Sequence, residues 1–281
     1  MLHSISFIGG GVMAEAMISG LLNRNTVAPD QVTISDPTEK CRAQLAARYG
    51  VHTTGDNRQA ARAGEIVVFA IKPQALARVL PELKGQLRAE QLVVSIIAGG
   101  RLATLSEGLV HDAIVRAMPN TPAQIGEGLT VWTTTANVTD AQRDSARAVF
   151  QSLGKEVFVD DEKYLDMATA VSGTGPTYVF LVLEALVDAA VHLGFARDVA
   201  HDIVIETMRG SILFAQQTGK HPAELRNMVT SPGGTSAEAI YQMEKGSLRT
   251  VLSKAVWAAY QKSRLLGETV GKAEPRKPVD A

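Results

Sequence analysis

The chain is poor in the residues from which covalent staples and metal centres are built. Cys41 is its one cysteine, so no intrachain disulfide framework forms, which fits a reducing compartment. Its six histidines are scattered. With no His-x-x-x-His or Cys-x-x-Cys pair, no structural or catalytic zinc is expected. Charge of one sign is also missing, because a net charge of −1 supplies no field to recruit nucleic acid or an anionic membrane. No basic leader precedes the first apolar run. A fold that begins at residue 4 is expected to leave no room for a cleavable signal, so a cytoplasmic location is expected. The most membrane-like run, Tyr178 to Phe195, is interrupted by Glu184, Asp188 and His192, and it reads as a buried helix, not a span.

What is there describes an ordinary globular protein. The chain has 281 residues, 46% of them hydrophobic and 20% charged, enough for two domains that each bury a core. Its organising stretch is Ser4 to Ala14, SISFIGGGVMA. Ile5, Phe7 and Ile8 make a short apolar run that breaks into Gly9-Gly10-Gly11, and a helical pattern follows from Met13 to Leu22. Gly9, Gly11 and Ala14 satisfy G-x-G-x-x-G/A, the opening of a dinucleotide-binding βαβ unit. There the glycines allow a tight turn and close approach of a pyrophosphate, and a small third residue lets helix and strand pack. The helix N-terminal amides, Val12 and Met13 included, then face the phosphates. Asp36 ends the next strand, Val32 to Ser35. An acidic side chain there accepts hydrogen bonds from ribose hydroxyls and repels a 2′-phosphate. Arg42 stands near enough in sequence to compensate, and NADH is expected to be well tolerated.

Up to about residue 160, apolar runs alternate with amphipathic segments, the pattern of a parallel α/β sheet. The helix from Glu39 to Tyr49 stops at Gly50, a natural C-terminal cap. Ile66 to Ile71 is apolar throughout, as strands buried on both faces are; Leu92 to Ile97 is another such strand, apolar but for Ser95, and Ala113 to Met118 follows. These three run into Lys72-Pro73-Gln74, Ala98-Gly99-Gly100 and Pro119-Asn120-Thr121-Pro122. Open α/β sheets bind ligands at that edge, so the loops are read as one shared groove. Leu129 to Thr133 and Glu156 to Val159 should finish the sheet around a helix from Asp140 to Leu153.

After Asp160-Asp161 the strand signal stops and four or five helices are expected. Tyr164 to Val171 leads through Ser172-Gly173-Thr174-Gly175-Pro176 into an apolar helix reaching Leu193, with Pro176 in its first turn. That helix is apolar nearly all round, and a second subunit is the expected source of cover. Asp198 to Gln217 and Pro222 to Val229 are further helices, with His221 read as a helix-start residue. Thr235 and Glu238 have capping-box spacing. The last helix, from Leu248, keeps Val251, Leu252, Ala255 and Ala259 on one face.

The residues suit nicotinamide chemistry, in which the cofactor supplies the hydride and the protein supplies a groove, an anchor and alignment. The loop Ser231 to Ser236 gathers glycines, hydroxyls and helix N-terminal amides, a nest able to bind a carboxylate. From this stretch alone it reads first as an ordinary helix–helix loop with a good N-cap. Lys72 is a phosphate contact or a surface lysine. Asn57 and Asn120 contact ligands or cap turns. Glu184 and Asp188, one turn apart, read as the polar edge of a packed helix.

Together the motifs resemble the pyrroline-5-carboxylate reductase family over residues 4 to 267. VSGTGPTYVF (Val171 to Phe180) and VTSPGGTS (Val229 to Ser236) are the most specific parts, supported by IKPQ (Ile71 to Gln74) and MPNTP (Met118 to Pro122). The resemblance implies an α/β fold with an N-terminal Rossmann-type doubly wound sheet over residues 1–161. An all-α dimerisation and substrate-binding domain would follow over 162–270; the composition of residues 271–281, with two prolines and mixed charge, separately predicts a disordered tail. The resemblance also implies reduction of 1-pyrroline-5-carboxylate to L-proline by NADPH or NADH. Gly9, Gly10, Gly11, Val12, Met13, Ala14, Asn57, Ala70, Ile71, Lys72, Pro73 and Ala98 would line the cofactor. Ser231, Gly233, Gly234, Thr235 and Ser236 would hold the substrate from the partner chain of a homodimer, with Asn120 and Thr174 as the next candidates. Ser236, where relatives often carry Thr, is expected to act at the reacting ring. No dedicated acid is implied, because a cyclic imine can enter already protonated. Another imine reductase, a β-hydroxyacid dehydrogenase and a non-catalytic dinucleotide sensor are the alternatives. The dehydrogenase would be expected to carry a lysine between Pro176 and Arg197, where this chain has none.

Overall fold

The computed structural model describes residues 4–270; the expected tail from residue 271 lies outside the described residues. The elements are, in order, β1 (Ile5–Ile8), α1 (Val12–Asn23), β2 (Val32–Ser35), α2 (Glu39–Tyr49), β3 (His52–Thr54), α3 (Asn57–Ala63), β4 (Ile66–Phe69), α4 (Leu76–Leu83), β5 (Leu92–Ser95), α5 (Leu102–Leu109), β6 (Ile114–Met118), β7 (Gly128–Thr134), α6 (Asp140–Gln151) and β8 (Gly154–Phe158). The helices α7 (Lys163–Ala168), α8 (Gly175–His192), α9 (Arg197–Thr218), α10 (Pro222–Met228), α11 (Thr235–Lys245) and α12 (Leu248–Thr269) complete the chain. It divides into two compact units, one of residues 4–174 with 259–270 and one of residues 175–258.

The first unit is built on one eight-stranded sheet of order β3-β2-β1-β4-β5-β6-β7-β8. Its first six strands are parallel and carry the 3-2-1-4-5-6 order of a dinucleotide-binding fold. Ile5 pairs with both Val32 and Ile66, which seats β1 at the centre. Every residue of β1, β4, β5 and β6 is buried, as expected for strands covered on both faces. Each large apolar side chain so buried contributes roughly 1.5–3 kcal/mol. One face packs Phe7, Met17, Leu21, Ile34, Trp132 and Phe150 against α1, α2 and α6. The other packs Ile8, Phe69, Leu76, Leu83, Leu105 and Leu109 against α3, α4 and α5.

Two features differ from a wholly parallel reading. β7 runs antiparallel to β6, because the connection between Met118 and Gly128 is too short for a crossover, which takes a dozen or more residues. β8, reached through α6, is parallel to β7. The edge strand β3, with an exposed and polar start at His52, carries no apolar run to announce it.

The stretch from Ser172 to Pro176 is not a loop. Helix continues from Lys163 to His192 with a π-helical turn at Thr169–Gly173, closed by the Thr174 amide on the Thr169 carbonyl at 2.8 Å. Ser172 and Thr174 hydroxyls donate to Ala168 and Thr169 carbonyls within that turn, so the polar residues are absorbed without breaking the helix.

The second unit has a small core of Val187, Ala200 and Val204, with Leu183, Ala190, Val191 and Met208 packed beside it. Much of its apolar surface faces outward: Phe180 is 57% exposed, Leu181 65% and Ile212 68%. His221 begins α10 by accepting the Ala223 amide on Nδ1 at 3.2 Å.

Candidate active site

The turn after β1 is dictated by its glycines. Gly9 has φ +100°, and a Cβ there would lie 2.8 Å from the Ala70 carbonyl oxygen and 2.9 Å from Ile71 Cγ2. The Gly9 amide donates to Ser35 O at 2.8 Å, and Ala70 N donates to Ile8 O at 2.9 Å. The tips of β1, β2 and β4 are thereby drawn together. A Cβ on Gly10 would strike Leu45 and Cys41 of α2, whereas one on Gly11 would meet nothing within 4 Å. Gly11 is the N-cap of α1 and offers no side chain to the first-turn amides. The next residue, Val12, is 64% exposed, Met13 is half-buried, and Ala14 is fully buried against the sheet. Uncapped amides beside an open space that a side chain would fill suit a diphosphate.

Around this turn stand the other tips. Asp36 Oδ2 accepts the Gly10 amide at 3.0 Å, and Oδ1 accepts the Thr38 amide at 2.8 Å. Arg42 Nη1 donates to the Asp36 backbone carbonyl at 2.6 Å. Asn57, expected either to touch a ligand or to cap a turn, bridges two elements: Oδ1 accepts from Ser35 Oγ at 2.8 Å, and Nδ2 donates to Glu82 Oε2 at 2.7 Å. Its helix α3 is capped instead by the Asp56 side chain. Cys41 Sγ donates to Gly10 O at 3.2 Å. Burial, and then the neighbouring Asp36 charge, push its thiol pKa up.

Beyond β4, Ala70, Ile71 and Pro73 are half-buried and Lys72 is exposed. Beyond β5, Ala98 packs with Met118, Val131 and Leu165. Gly99, at φ +75°, sits beneath α12, 2.9 Å from the Leu266 carbonyl carbon by its would-be Cβ. Beyond β6, Asn120 holds two segments at once, accepting Leu129 N on Oδ1 at 2.9 Å and donating Nδ2 to Ser172 O at 3.2 Å. It thereby fixes the π-helical turn that ends at Thr174.

The loop from Ser231 to Ser236 belongs to the second unit. Gly234 N closes a turn on Ser231 O at 3.0 Å, and Gly233 has φ +70°. The capping expectation for Thr235 does not hold. Gly234 is the N-cap, with extended backbone and its carbonyl accepting Ala237 N at 3.1 Å, so Thr235 is already the first helical residue. No side chain caps α11, which leaves its first amides beside Ser231, Gly233 and the half-buried Ser236.

Of the acidic pair on α8, Asp188 binds Arg197 at 3.0 Å and Glu184 is exposed. Among the described residues, no three His, Cys, Asp or Glu side chains converge.

One cluster escaped the sequence reading. Arg116, on β6 and 1% exposed, is held by Glu162 at 2.9 Å and Asp166 at 3.2 Å. Glu162 also accepts the Leu102 amide at 2.7 Å, and Asp166 accepts Ser263 Oγ at 2.9 Å. A lone arginine inside the otherwise apolar Ile114–Met118 was the available signal.

Comparison with known proteins agrees with this geometry. The family described as pyrroline-5-carboxylate reductase dimerisation matches residues 162–266, and that described as coenzyme F420-dependent NADP oxidoreductase matches residues 4–99. A pyrroline-5-carboxylate reductase of Synechocystis is 40% identical over 264 residues, 94% of this chain and 98% of that protein. The one from Escherichia coli is 36% identical over 96% of this chain and all of its own length (100%). A crystal structure of Plasmodium falciparum pyrroline carboxylate reductase with NADP bound superposes with a TM-score of 0.86 at 32% identity, over 94% of this chain and 98% of that one. With a matching dimerisation family, a Rossmann-type sheet and full-length relatives above 30% identity, the chain belongs to the pyrroline-5-carboxylate reductase family.

Proposed function

We infer that this protein is an NAD(P)H-dependent oxidoreductase that reduces 1-pyrroline-5-carboxylate to L-proline, the last step of proline synthesis. The open turn at Gly9–Gly11 above an uncapped helix carries the reading, because it is a seat for a diphosphate in a chain of this family. When bound, the dihydronicotinamide supplies the hydride. The chain's own residues hold and align the two reactants.

In this reading the α1 amides from Val12 to Ala14 hold the diphosphate, and Asn57, Ala70 to Pro73 and Ala98 line the groove. The loop Ser231 to Ser236 holds the substrate carboxylate on the free amides of α11. Ser236 offers its hydroxyl to the ring nitrogen or carboxylate. The imine enters protonated, so its carbon accepts hydride and the ring nitrogen keeps its proton. Alignment and charge stabilisation are then the protein's task. The cofactor domain spans residues 1–161, and residues 162–270 provide substrate binding and pairing with a second copy. The exposed apolar face of α8 and α9 supports a homodimer. A cytoplasmic location suits an enzyme that draws on reduced nicotinamide.

The test is oxidation of NADH and NADPH by the purified protein with the cyclic imine, with proline identified as product. Dinucleotide binding without proline formation would leave a sensor in its place.

A further inference from the structure

Selection between the two nicotinamide cofactors turns on the end of β2. The two forms differ only at the adenosine ribose, which carries a 2′-hydroxyl in one and a 2′-phosphate in the other. A dinucleotide whose diphosphate lies at the start of α1 extends its adenosine toward β2, and the first side chain past β2 is Asp36. Its carboxylate does not swing freely. One oxygen takes the Gly10 amide at 3.0 Å and the other takes the Thr38 amide at 2.8 Å. Turning away would leave two backbone donors without their acceptor. Each oxygen still has a lone pair to offer. A ribose hydroxyl can donate to it, whereas a phosphate brings negative charge and no donor.

The arginines nearby hydrogen-bond to backbone carbonyls and not to that carboxylate. Arg42 spends Nη1 on the Asp36 backbone carbonyl at 2.6 Å and lies against Gly55. Arg58 spends Nε on the Glu82 carbonyl at 3.0 Å. Glu82 itself is a second carboxylate, linked to the tip of β2 through Asn57 and Ser35. Among the described residues, no ion pair neutralises Asp36. On the reading of the chain as an NAD(P)H-dependent reductase, we infer that Asp36 is its cofactor-selecting residue and that the protein binds NADH in preference to NADPH. Arg42 serves to brace the loop and does not receive a phosphate.

Separate titrations of the full-length protein with NADH and with NADPH, by calorimetry without the imine, test this. NADH is expected to bind at least tenfold more tightly. The gap should narrow with added salt, since repulsion of a phosphate is screened. Asp36→Ser should shrink the ratio at least tenfold, chiefly by tightening NADPH, while Arg42→Ala leaves it within twofold. Should Asp36→Ser lose the fold along with its two amide contacts, Asp36→Asn keeps an acceptor and removes only the charge. The wild-type ratio and its salt dependence decide the matter without either variant. NADPH binding as tightly as NADH, or a selective loss of NADPH on Arg42→Ala, overturns the inference alone. Failure of both dinucleotides to bind overturns the reductase reading and this inference with it.

Discussion

Arg116 and Asp166 meet at 3.2 Å, fifty residues apart, with the guanidinium almost wholly out of water. Removing one partner of such a pair leaves an uncompensated buried charge, which costs about 3–5 kcal/mol. Asp166→Ala leaves Arg116 paired with Glu162 at 2.9 Å and should therefore lower the urea midpoint of unfolding by less, an amount equal to about 1–3 kcal/mol for the buried donors left unsatisfied. Arg116→Met should cost more, about 3–5 kcal/mol, because it leaves Glu162 and Asp166 near one another without their cation, with only the Leu102 amide and Ser263 as donors. Equal stability of Asp166→Ala and the parent would show that the cluster contributes nothing.

Gly9 and Gly11 should separate folding from binding. Gly9→Ala forces a side chain into the Ala70 carbonyl at φ +100° and should destabilise by about 1–2 kcal/mol or more. Gly11→Ala meets no neighbour within 4 Å at an ordinary φ of −70°, so the melting temperature should hold. Its methyl group nevertheless stands where a diphosphate approaches, and NAD(P)H affinity should fall at least tenfold, roughly 1.4 kcal/mol. Thermal melts paired with dinucleotide titrations read both quantities. Unchanged affinity in Gly11→Ala would remove this turn from the cofactor site.

Ser236→Ala deletes a hydroxyl beside the uncapped start of α11. A hydrogen bond to a charged group contributes about 1.5–3 kcal/mol, so kcat/KM for the imine should drop roughly tenfold or more, with NAD(P)H affinity unchanged. Gly234→Val should be more severe, because its side chain would stand where the carboxylate approaches, with its Cβ 3.2 Å from the Ser231 carbonyl oxygen. Full activity in Ser236→Ala would reduce the loop to a connector. The anchor would then be sought at Asn120 and Thr174.

Phe180 and Ile212, each more than half exposed in the single chain, should be covered by a second copy. A stable interface buries about 1,200–2,000 Å². The double variant Phe180→Glu, Ile212→Glu should shift the light-scattering mass from oligomer to monomer and abolish imine reduction. A parent protein that scatters as an active monomer would refute the arrangement.

Most of the sheet was legible because seven strands announce themselves by apolar runs. The glycine turn was legible because only glycine accommodates the approach of Ala70 to Gly9. What stayed hidden depends on contacts between distant residues. β3 is a short edge strand with polar residues, and Thr235 has capping-box spacing that the Gly234 backbone pre-empts. The π-helical turn at Thr169–Gly173 takes up Ser172 and Gly173, small residues outside any apolar periodicity. The tether from Asp36 to Gly10 spans 26 positions, and the one from Ser263 to Asp166 spans 97. No local pattern encodes either.

The return of α12 to the first unit has a consequence for how the protein is made. Gly99 sits against Leu266, Gly267 against Arg101, and Ser263 against Asp166. All eight strands therefore leave the ribosome well before the segment that covers their β5 edge loop. A nascent chain paused after β8 carries every strand with Gly99 and Arg101 still bare, and these wait for about a hundred more residues. That interval is when a chaperone would find its handle, and a stop codon placed anywhere before Ser263 would extend it indefinitely.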